Sequence, residues 1–303
     1  MNGRSSYLAL AAILCAAGPL RPQNALDKLP DETGYETGFD RAGGQFVQPF
    51  FEGWQKLPDG NIAMWFGYLN LNFEEQPDVP IGPDNKFDLR DDMGQPTHFY
   101  PRRHLFVFKV NVPKDWDRQK RLVWTLTVHG KTASANGWLQ PEWEVDSGVI
   151  QMNVGPGGAP PVNPPNTAPV VQVNAVTTAN VGQPLKLIAN ATDDGIPKPR
   201  RSSAAGRSGQ GSAPVVPPNA VLSPRATLGL RIRWELYRAP SPGAKVTLEP
   251  DSNRAVIGGT SSNLETEAVF SAPGTYWLRA VASDGMLETP YDLNVTVTEG
   301  KSR

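Results

Sequence analysis

The chain has 303 residues, a formal net charge of −1 and 19% charged side chains. This length gives room for about two domains, and the balanced charge gives no electrostatic footprint for nucleic acid. The 29 glycines and 30 prolines favour many turns and short strands over long helices.

The first 18 residues have the pattern of a secretory signal peptide. Arg4 precedes an apolar run that ends in small residues around Cys15, and the run is too short to span a membrane. Cys15 is the only cysteine, so cleavage would leave no thiol for a disulfide or a metal; whether Cys15 is lipidated stays open. We predict a secreted, periplasmic or surface-held protein without a transmembrane segment, whose residues 19–45 are poorly ordered.

Residues 46–152 are predicted to form a first β-sandwich domain. The stretches "HLFVFKVNVP" and "RLVWTLTVHG" have the character of strands, and "NIAMWFGYLNLNF" is typical of an apolar strand buried on both sides. The segments "FEGWQKLPDGNIAMWFGYLN" and "GQPTHFYPRR" resemble a module of uncharacterised secreted bacterial proteins. The resemblance covers about residues 47–145 and implies no activity.

A Pro/Gly-rich linker is predicted at residues 153–165, because this composition cannot hold the interior of a sheet. The second domain covers residues 166–298, where "PLKLIANAT", "GLRIRWELY", "GTYWLRAVASDG" and "YDLNVTVT" alternate apolar and polar positions. Within it, residues 197–227 are basic and low in complexity, which predicts a disordered insertion. The predicted fold class is therefore all-β, with two β-sandwich domains joined by the linker.

The second domain resembles the PKD and related immunoglobulin-like repeats of extracellular proteins. Trp234 in "LRIRWELY" matches the buried tryptophan of the third strand, "PGTY" at 273–276 matches a turn into the penultimate long strand, and Asp284-Gly285 matches the turn after it. The chain departs from the family by carrying "ELYRAP" after Trp234, where many PKD domains carry a WDFGDG-type run. The resemblance implies an immunoglobulin-like spacer or adhesion module, and a fold alone does not fix a function.

The stretch "GQPTHFYPRRH", residues 94–104, holds two of the three histidines. On one continuous strand His98 and His104 would lie about 20 Å apart, although Pro101 predicts a bend between them. A zinc site would still need a further ligand, so we interpret the stretch as a loop that enters a strand, with its arginines pairing with nearby acids. Its candidate ligand-binding residues are His98, Arg102, Arg103 and His104.

Tryptophans provide the other candidate binding residues. Trp54 and Trp138 adjoin glycines near predicted turns and are expected to expose flat rings to a ligand. Trp65, Trp124 and Trp234 are predicted to be core residues. Trp277 is predicted to face solvent in a cross-strand cluster with Arg231 or Arg233, beside a Glu235–Arg279 pair.

Carboxylates suggest two further sites. Asp193, Asp194 and Asp284 end strands that are predicted to meet at one end of the second sandwich, where they are candidate calcium ligands or turn caps. No other cofactor is predicted. The acidic alternation of "PEWEVD", residues 141–146, predicts the wet face of an edge strand, the alternative being a pair of glycosidase carboxylates.

These patterns favour a non-enzymatic secreted or cell-envelope protein that binds an extracellular ligand, either a carbohydrate or another envelope protein. Two alternatives stay open: a carbohydrate-active or metal-dependent protein with its site in the first domain, and a pure structural spacer. A pocket that gathers His98 or His104 with carboxylates would favour the enzyme, whereas a flat aromatic face would favour a binding module.

Overall fold

The computed structural model describes residues 42–154, 165–198 and 229–300. The predicted signal peptide, the segment 19–41, linker residues 155–164 and insertion residues 199–227 lie outside the described residues. The predicted all-β class of two sandwiches is confirmed. The described residues all fall within one compact unit.

The first sandwich consists of two three-stranded antiparallel sheets, β1–β2–β4 and β3–β5–β6. Its core is a cluster of rings in which Phe66 contacts Phe87, Phe108 and Trp124 at centroid distances of 5.2, 5.6 and 6.2 Å. Trp124 is fully buried and donates its indole N–H to Asn85 at 3.0 Å. The strands are β1 Val47–Lys56, β2 Ile62–Asn70, β3 Asn85–Phe87, β4 Arg102–Val112, β5 Leu122–Val128 and β6 Lys131–Gly137.

The segment after β6 is helical rather than extended. A 3-10 turn covers Pro141–Trp143, and helix α1 follows at Ser147–Val154. The side chain of Asp146 accepts the backbone N–H of Val149 at 2.8 Å, which is the N-cap bond that starts a helix. The prediction of an edge strand at residues 141–146 is therefore wrong, and the last two residues of α1 fall within the predicted linker.

The second sandwich pairs the sheet β11–β12–β9–β7 with the sheet β10–β13–β14–β8. The predicted inward residues of β10 and β13 are buried, and Trp234 and Tyr276 lie in the core. Tyr291 is an exception: the alternation of "YDLNVTVT" predicts that it points inward with Leu293, but it is 38% exposed. The strands are β7 Val170–Ala175, β8 Thr178–Asn180, β9 Pro184–Thr192, β10 Arg231–Arg238, β11 Val246–Glu249, β12 Ser261–Phe270, β13 Gly274–Ser283 and β14 Glu288–Thr298.

A large bulge in β4, in which three residues lie opposite one residue of β2, shapes the edge of the first sandwich that meets the second. Phe66 pairs with Phe108 and Tyr68 pairs with His104, so residues 105–107 lie opposite Gly67 alone. Phe106 within the bulge has a φ of 48°. A Cβ atom at Gly67 would overlap the His104 carbonyl oxygen, so glycine is what allows the bulge to close over β2. Bulges of this kind redirect side chains and release backbone groups from the ladder.

Candidate functional site

Residues 94–100, which we call the docking segment, bind the end of β10 and thereby join the two sandwiches. The Leu236 N–H donates to the Tyr100 hydroxyl oxygen at 2.8 Å, and the Tyr237 hydroxyl donates to the Gly94 carbonyl at 2.5 Å. The Thr97 N–H donates to the Tyr237 carbonyl at 3.1 Å. Burial raises the pKa of Tyr237 to about 12 and raises the pKa of Tyr100 as well, so both phenols stay protonated at neutral pH.

Arginine side chains of the second sandwich extend the contact. Arg238 binds both carboxylate oxygens of Asp92 at 2.9 and 2.8 Å and donates from Nε to the Gln95 carbonyl at 2.9 Å. The hydrogen bonds from Arg238 hold the pKa of Asp92 below its usual range. Arg279 donates to the Val107 carbonyl at 2.8 Å, a group that lies in the β4 bulge. The bulge therefore supplies a backbone acceptor for a hydrogen bond between the two sandwiches.

A cleft of about 880 Å³ lies between the sandwiches. This volume falls within the range of about 300–1,000 Å³ that is typical of small-molecule sites. One wall comes from β2 and β4 of the first sandwich, a second from α1, and a third from the outer face of β10, β13 and β14. The residues that line the cleft include Gln55, Trp65, His98, Tyr100, His104, Phe106, Lys109, Arg233, Glu235, Tyr237, Trp277, Arg279, Glu288, Thr289 and Asp292.

A buried ion-pair network forms the wall contributed by the second sandwich. Arg233 contacts Glu235 at 2.5 Å and binds Glu288 with both terminal nitrogens at 3.0 and 3.2 Å. Burial by itself lowers the pKa of Arg233, but the two carboxylates more than offset it and the pKa is raised. Arg279 binds both oxygens of Asp292 at 2.7 and 3.1 Å. Its guanidinium also lies 3.7 Å from the centroid of the Tyr237 ring.

The two histidines of the candidate set line the cleft, and each has fixed partners. His98 contacts Asp78 through Nδ1 at 2.7 Å and Gln76 through Nε2 at 2.9 Å. His104 contacts the Pro101 carbonyl through Nε2 at 3.1 Å. Asp78 also accepts the N–H of Gly243 at 3.1 Å, so the His98–Asp78 pair helps to hold the sandwiches together. These contacts give both imidazoles a positioning role.

The two arginines of the candidate set pack on the outer surface of the first sandwich. Arg103 pairs with Glu52 at 2.8 Å and lies 4.3 Å from the centroid of Phe50. Arg102 lies 4.4 Å from the centroid of Phe73 and donates to a backbone carbonyl at 3.3 Å. The prediction of an acidic partner therefore agrees with the geometry of Arg103, whereas Arg102 contacts an aromatic ring and a backbone carbonyl.

Trp124 and Trp234 are buried as predicted, whereas three other tryptophans differ from their predicted exposures. Trp54 was predicted to be exposed, but it is buried and donates its indole N–H to the Gln140 carbonyl at 2.7 Å, because the turn at 141–143 folds over it. Trp138 is half-buried, with Arg121 5.1 Å from its ring centroid. Trp65 was predicted to be core; it is half-buried and lines the cleft.

The cluster predicted around Trp277 is present in a different form. Trp277 lies against Tyr237 at 4.9 Å and Arg238 at 4.7 Å, rather than Arg231 or Arg233. Glu235 lies opposite Arg279 in the register of β10 and β13, as the predicted pair requires, and the Arg279 guanidinium binds Asp292. The face was predicted to be in solvent and is instead covered by the first sandwich, so the prediction of a solvent-facing cluster is wrong.

The predicted calcium ligands act as turn caps. Asp284 accepts the N–H groups of Met286 and Leu287 at 2.6 and 2.7 Å, and Asp194 accepts the N–H and hydroxyl of Thr167 at 2.9 and 2.7 Å. Across residues 42–154, 165–198 and 229–300, His, Cys, Asp and Glu side chains form no group of three or more that could hold a metal ion. Calcium binding by Asp193, Asp194 and Asp284 stays a prediction.

Replacing Asp193 by asparagine is expected to stabilise the protein above pH 6 by about 1 kcal/mol, after allowance for partial exposure. Burial, reinforced by the carboxylates of Asp284 and Asp194, raises the pKa of Asp193 from 3.8 to about 6. The folded state therefore holds this proton more tightly than the unfolded state, and stability falls as the pH rises from about 4 to about 6. Asparagine removes this dependence while its oxygen can still accept the Gly195 N–H.

Urea unfolding of wild type and Asp193→Asn at pH 4 and pH 7.5 measures this difference. Asp194→Asn is the matched control: hydrogen bonds from Thr167 outweigh burial and lower the pKa of Asp194, so this change should destabilise at neutral pH. Equal pH dependence in wild type and Asp193→Asn would contradict the expectation. Stabilisation of wild type by millimolar calcium, lost in Asp193→Asn, would support the predicted calcium site.

Several residues of the cleft and interface carry no sequence signal of their role. Tyr100 and Tyr237 occupy ordinary loop and strand positions, and only their contacts across 136 and 143 residues of chain reveal them. One signal was available: Arg233 and Arg279 are charged residues on the outer face of otherwise apolar strands. Such a face can be covered by another part of the chain.

No protein-family model matches the chain, and no curated protein matches it. Among solved structures, the S-layer protein rSbsC(31-844) is similar over 85% of this chain at 9% identity and a TM-score of 0.25, and this chain spans 28% of that protein. The D00-D0 domain of intimin is similar over 84% of this chain and 100% of its own length, at 7% identity and a TM-score of 0.25. Similarity at this distance assigns neither a family nor a function.

The fold and the cleft define the class of molecule: an all-β protein of two docked sandwiches with a groove lined by polar and aromatic side chains between them. In the part of the chain that the structure describes, no helix combines the length and the apolar character needed to cross a membrane.

Proposed function

We propose that the protein is a secreted or cell-envelope binding protein, without enzymatic activity, whose ligand site is the cleft between the sandwiches. The observation that carries the proposal is a groove of about 880 Å³ whose walls come from both sandwiches and are fixed by the docking segment. Ligand pockets occur preferentially at such domain interfaces, where polar groups converge on an otherwise apolar lining. The signal-peptide pattern of the first 18 residues supports an extracytoplasmic location.

Binding explains the cleft better than turnover does. His98 and His104 hold fixed partners on the wall of the cleft, and Arg233 and Arg279 are engaged by carboxylates. A general acid or base must reach a substrate proton, whereas His98 and Arg279 take part in contacts between the sandwiches and His104 and Arg233 are bonded within their own sandwich. A rigid groove of this kind lowers the conformational cost of binding a ligand.

Filling the cleft with a bulky side chain tests the proposal. Thr289 of β14 is half-buried and lines the cleft, so Thr289→Trp should weaken binding by about tenfold or more. Thr296→Trp is the matched control, because Thr296 is exposed on the same strand and is not among the residues that line the cleft. The measurement is retention of the mature protein on envelope fractions of the producing organism and on purified cell-surface polymers, followed by mass analysis of the retained material.

Loss of retention in Thr289→Trp alone, with the retained polymer recovered unaltered, supports a binding cleft. Equal retention of both variants would move the ligand site elsewhere and contradict the proposal. Cleavage of the polymer would favour the enzyme alternative, and retention of no form on any material would favour the spacer.

A further inference from the structure

The charges that line the cleft cancel. Its Lys and Arg residues number three and its Asp and Glu residues also number three. Two of the three cations are bound by carboxylates: Arg233 by Glu235 and Glu288, and Arg279 by Asp292. An anionic ligand would meet guanidinium groups that already have partners, beside carboxylates that repel it. The charge pattern therefore selects against strongly charged ligands.

Aromatic rings line the cleft on both of its sandwich walls. Trp65 and Phe106 belong to the first sandwich and contact each other edge to face at 6.0 Å. Trp277 belongs to the second, and all three side chains are half-buried. The bulge in β4, with Phe106 at positive φ, is the device that turns this ring toward the groove. Flat rings of this type offer apolar faces of defined orientation.

Polar groups with hydrogen-bonding capacity lie among the rings. The indole Nε1 of Trp277 is shielded from water and has no hydrogen-bond partner among the described residues. The side-chain oxygen of Gln55 accepts the Trp65 indole N–H at 3.2 Å. This hydrogen bond does not use the side-chain N–H groups of Gln55. A buried donor without a partner costs free energy, but an N–H that is shielded from water is shielded from a ligand as well, so Trp277 can offer a ligand only the face of its ring.

We propose that the cleft binds a neutral oligosaccharide; this inference rests on the proposed binding function and specifies its ligand class. Sugar rings present apolar faces that stack on Trp65 and Trp277, and hydroxyls that both donate and accept. Hydroxyl donors suit the carboxylates of Glu288 and Asp292, and hydroxyl acceptors suit the side-chain N–H groups of Gln55. A purely apolar ligand would remove water from these charged groups and would offer no hydrogen bonds in place of those that the water had made.

The test is binding of the mature protein to an array of neutral oligosaccharides, with uronic-acid and sulfated glycans and a peptide library as the other arms. Hits are then measured by isothermal titration calorimetry. Trp65→Ala should weaken binding of a neutral oligosaccharide by about tenfold, the loss of one stacked ring. Trp277→Phe keeps a ring and removes only the shielded N–H, so it should change binding by less than about threefold. Trp143→Ala is the matched control, because that indole is 42% exposed and lies outside the cleft.

Outcomes separate this inference from the proposed function. Binding of neutral glycans that is weakened by Trp65→Ala but not by Trp277→Phe or Trp143→Ala, in proteins that retain wild-type melting temperatures, supports it. Binding of acidic glycans or peptides that is lost in Thr289→Trp would overturn the ligand class and leave the binding cleft standing. Neutral-glycan binding that none of the cleft variants changes would overturn both.

Discussion

Replacing Arg233 by methionine should lower the free energy of unfolding by about 3–5 kcal/mol. The guanidinium lies between Glu235 and Glu288, and the side-chain exposures of Arg233, Glu235 and Glu288 are 9%, 21% and 12%. Methionine preserves much of the apolar stem, so the change isolates the charge. It leaves two shielded carboxylates without their cation, which is the costly way to break a buried ion pair.

Urea unfolding at neutral pH measures the effect, and two variants make it specific. Arg254→Met removes a guanidinium from an exposed position and should change stability by less than about 0.5 kcal/mol. The triple variant Arg233→Met, Glu235→Gln, Glu288→Gln removes the whole charge group and should recover most of the loss. The penalty of the single variant should also shrink at acidic pH, where the carboxylates are protonated. A loss below about 1 kcal/mol in Arg233→Met would show that the network contributes little.

The alternation of apolar residues was sufficient to predict the second sandwich. In β10 and β13 every second side chain points into the core, and Ile232, Trp234, Tyr276 and Leu278 are all buried as predicted. Period-2 alternation reports one buried face of a strand, and both strands have an apolar inner face. The pattern failed at the outer face, because Arg233 and Arg279 are also buried.

Those failures share one physical cause. Whether the outer face of a strand is exposed to solvent depends on what packs against it. Here a loop that lies more than 130 residues earlier in the chain packs against β10. Local sequence carries no information on that pairing. The stretch "GQPTHFYPRRH" was selected for its histidines, yet its contacts to β10 are made by Gly94, Thr97 and Tyr100. The histidines therefore indicated the right segment, but the groups that bind β10 are a glycine carbonyl, a threonine N–H and a tyrosine hydroxyl.

Turn and bulge geometry was predictable only in part. Asp284-Gly285 was recognised as a turn, and Asp284 caps it as its residue type favours. The bulge at residues 105–107 was missed because "HLFVFKVNVP" has the character of one continuous strand, and only the pairing with β2 reveals residues opposite Gly67. The helix α1 was missed because a single N-cap, Asp146, precedes a short and weakly amphipathic segment.

Removing the side chains of Tyr237 and Arg238 should uncouple the two sandwiches. Wild-type protein is expected to unfold in one calorimetric transition, because the docking segment and the arginine contacts tie the two cores together. Tyr237 belongs to neither core cluster of the described residues, so Tyr237→Ala with Arg238→Ala removes contacts between the sandwiches and leaves both cores intact. The buried aromatic ring alone is worth about 3–5 kcal/mol, which is a large part of the stability of one domain.

The double variant should therefore show two transitions, the earlier one shifted down by about 10 °C or more. Tyr237→Phe provides a graded control: it keeps the ring beside Arg279 and loses the hydroxyl bond to Gly94, which should cost about 1–3 kcal/mol with one transition retained. Tyr291→Ala with Arg254→Ala removes the same residue types from exposed positions and should leave the thermogram unchanged. A single transition in the Tyr237→Ala, Arg238→Ala variant would mean that the sandwiches are coupled by contacts other than the docking segment. Two transitions accompanied by loss of ligand retention would link the shape of the cleft to this coupling, because its opposing walls belong to different sandwiches.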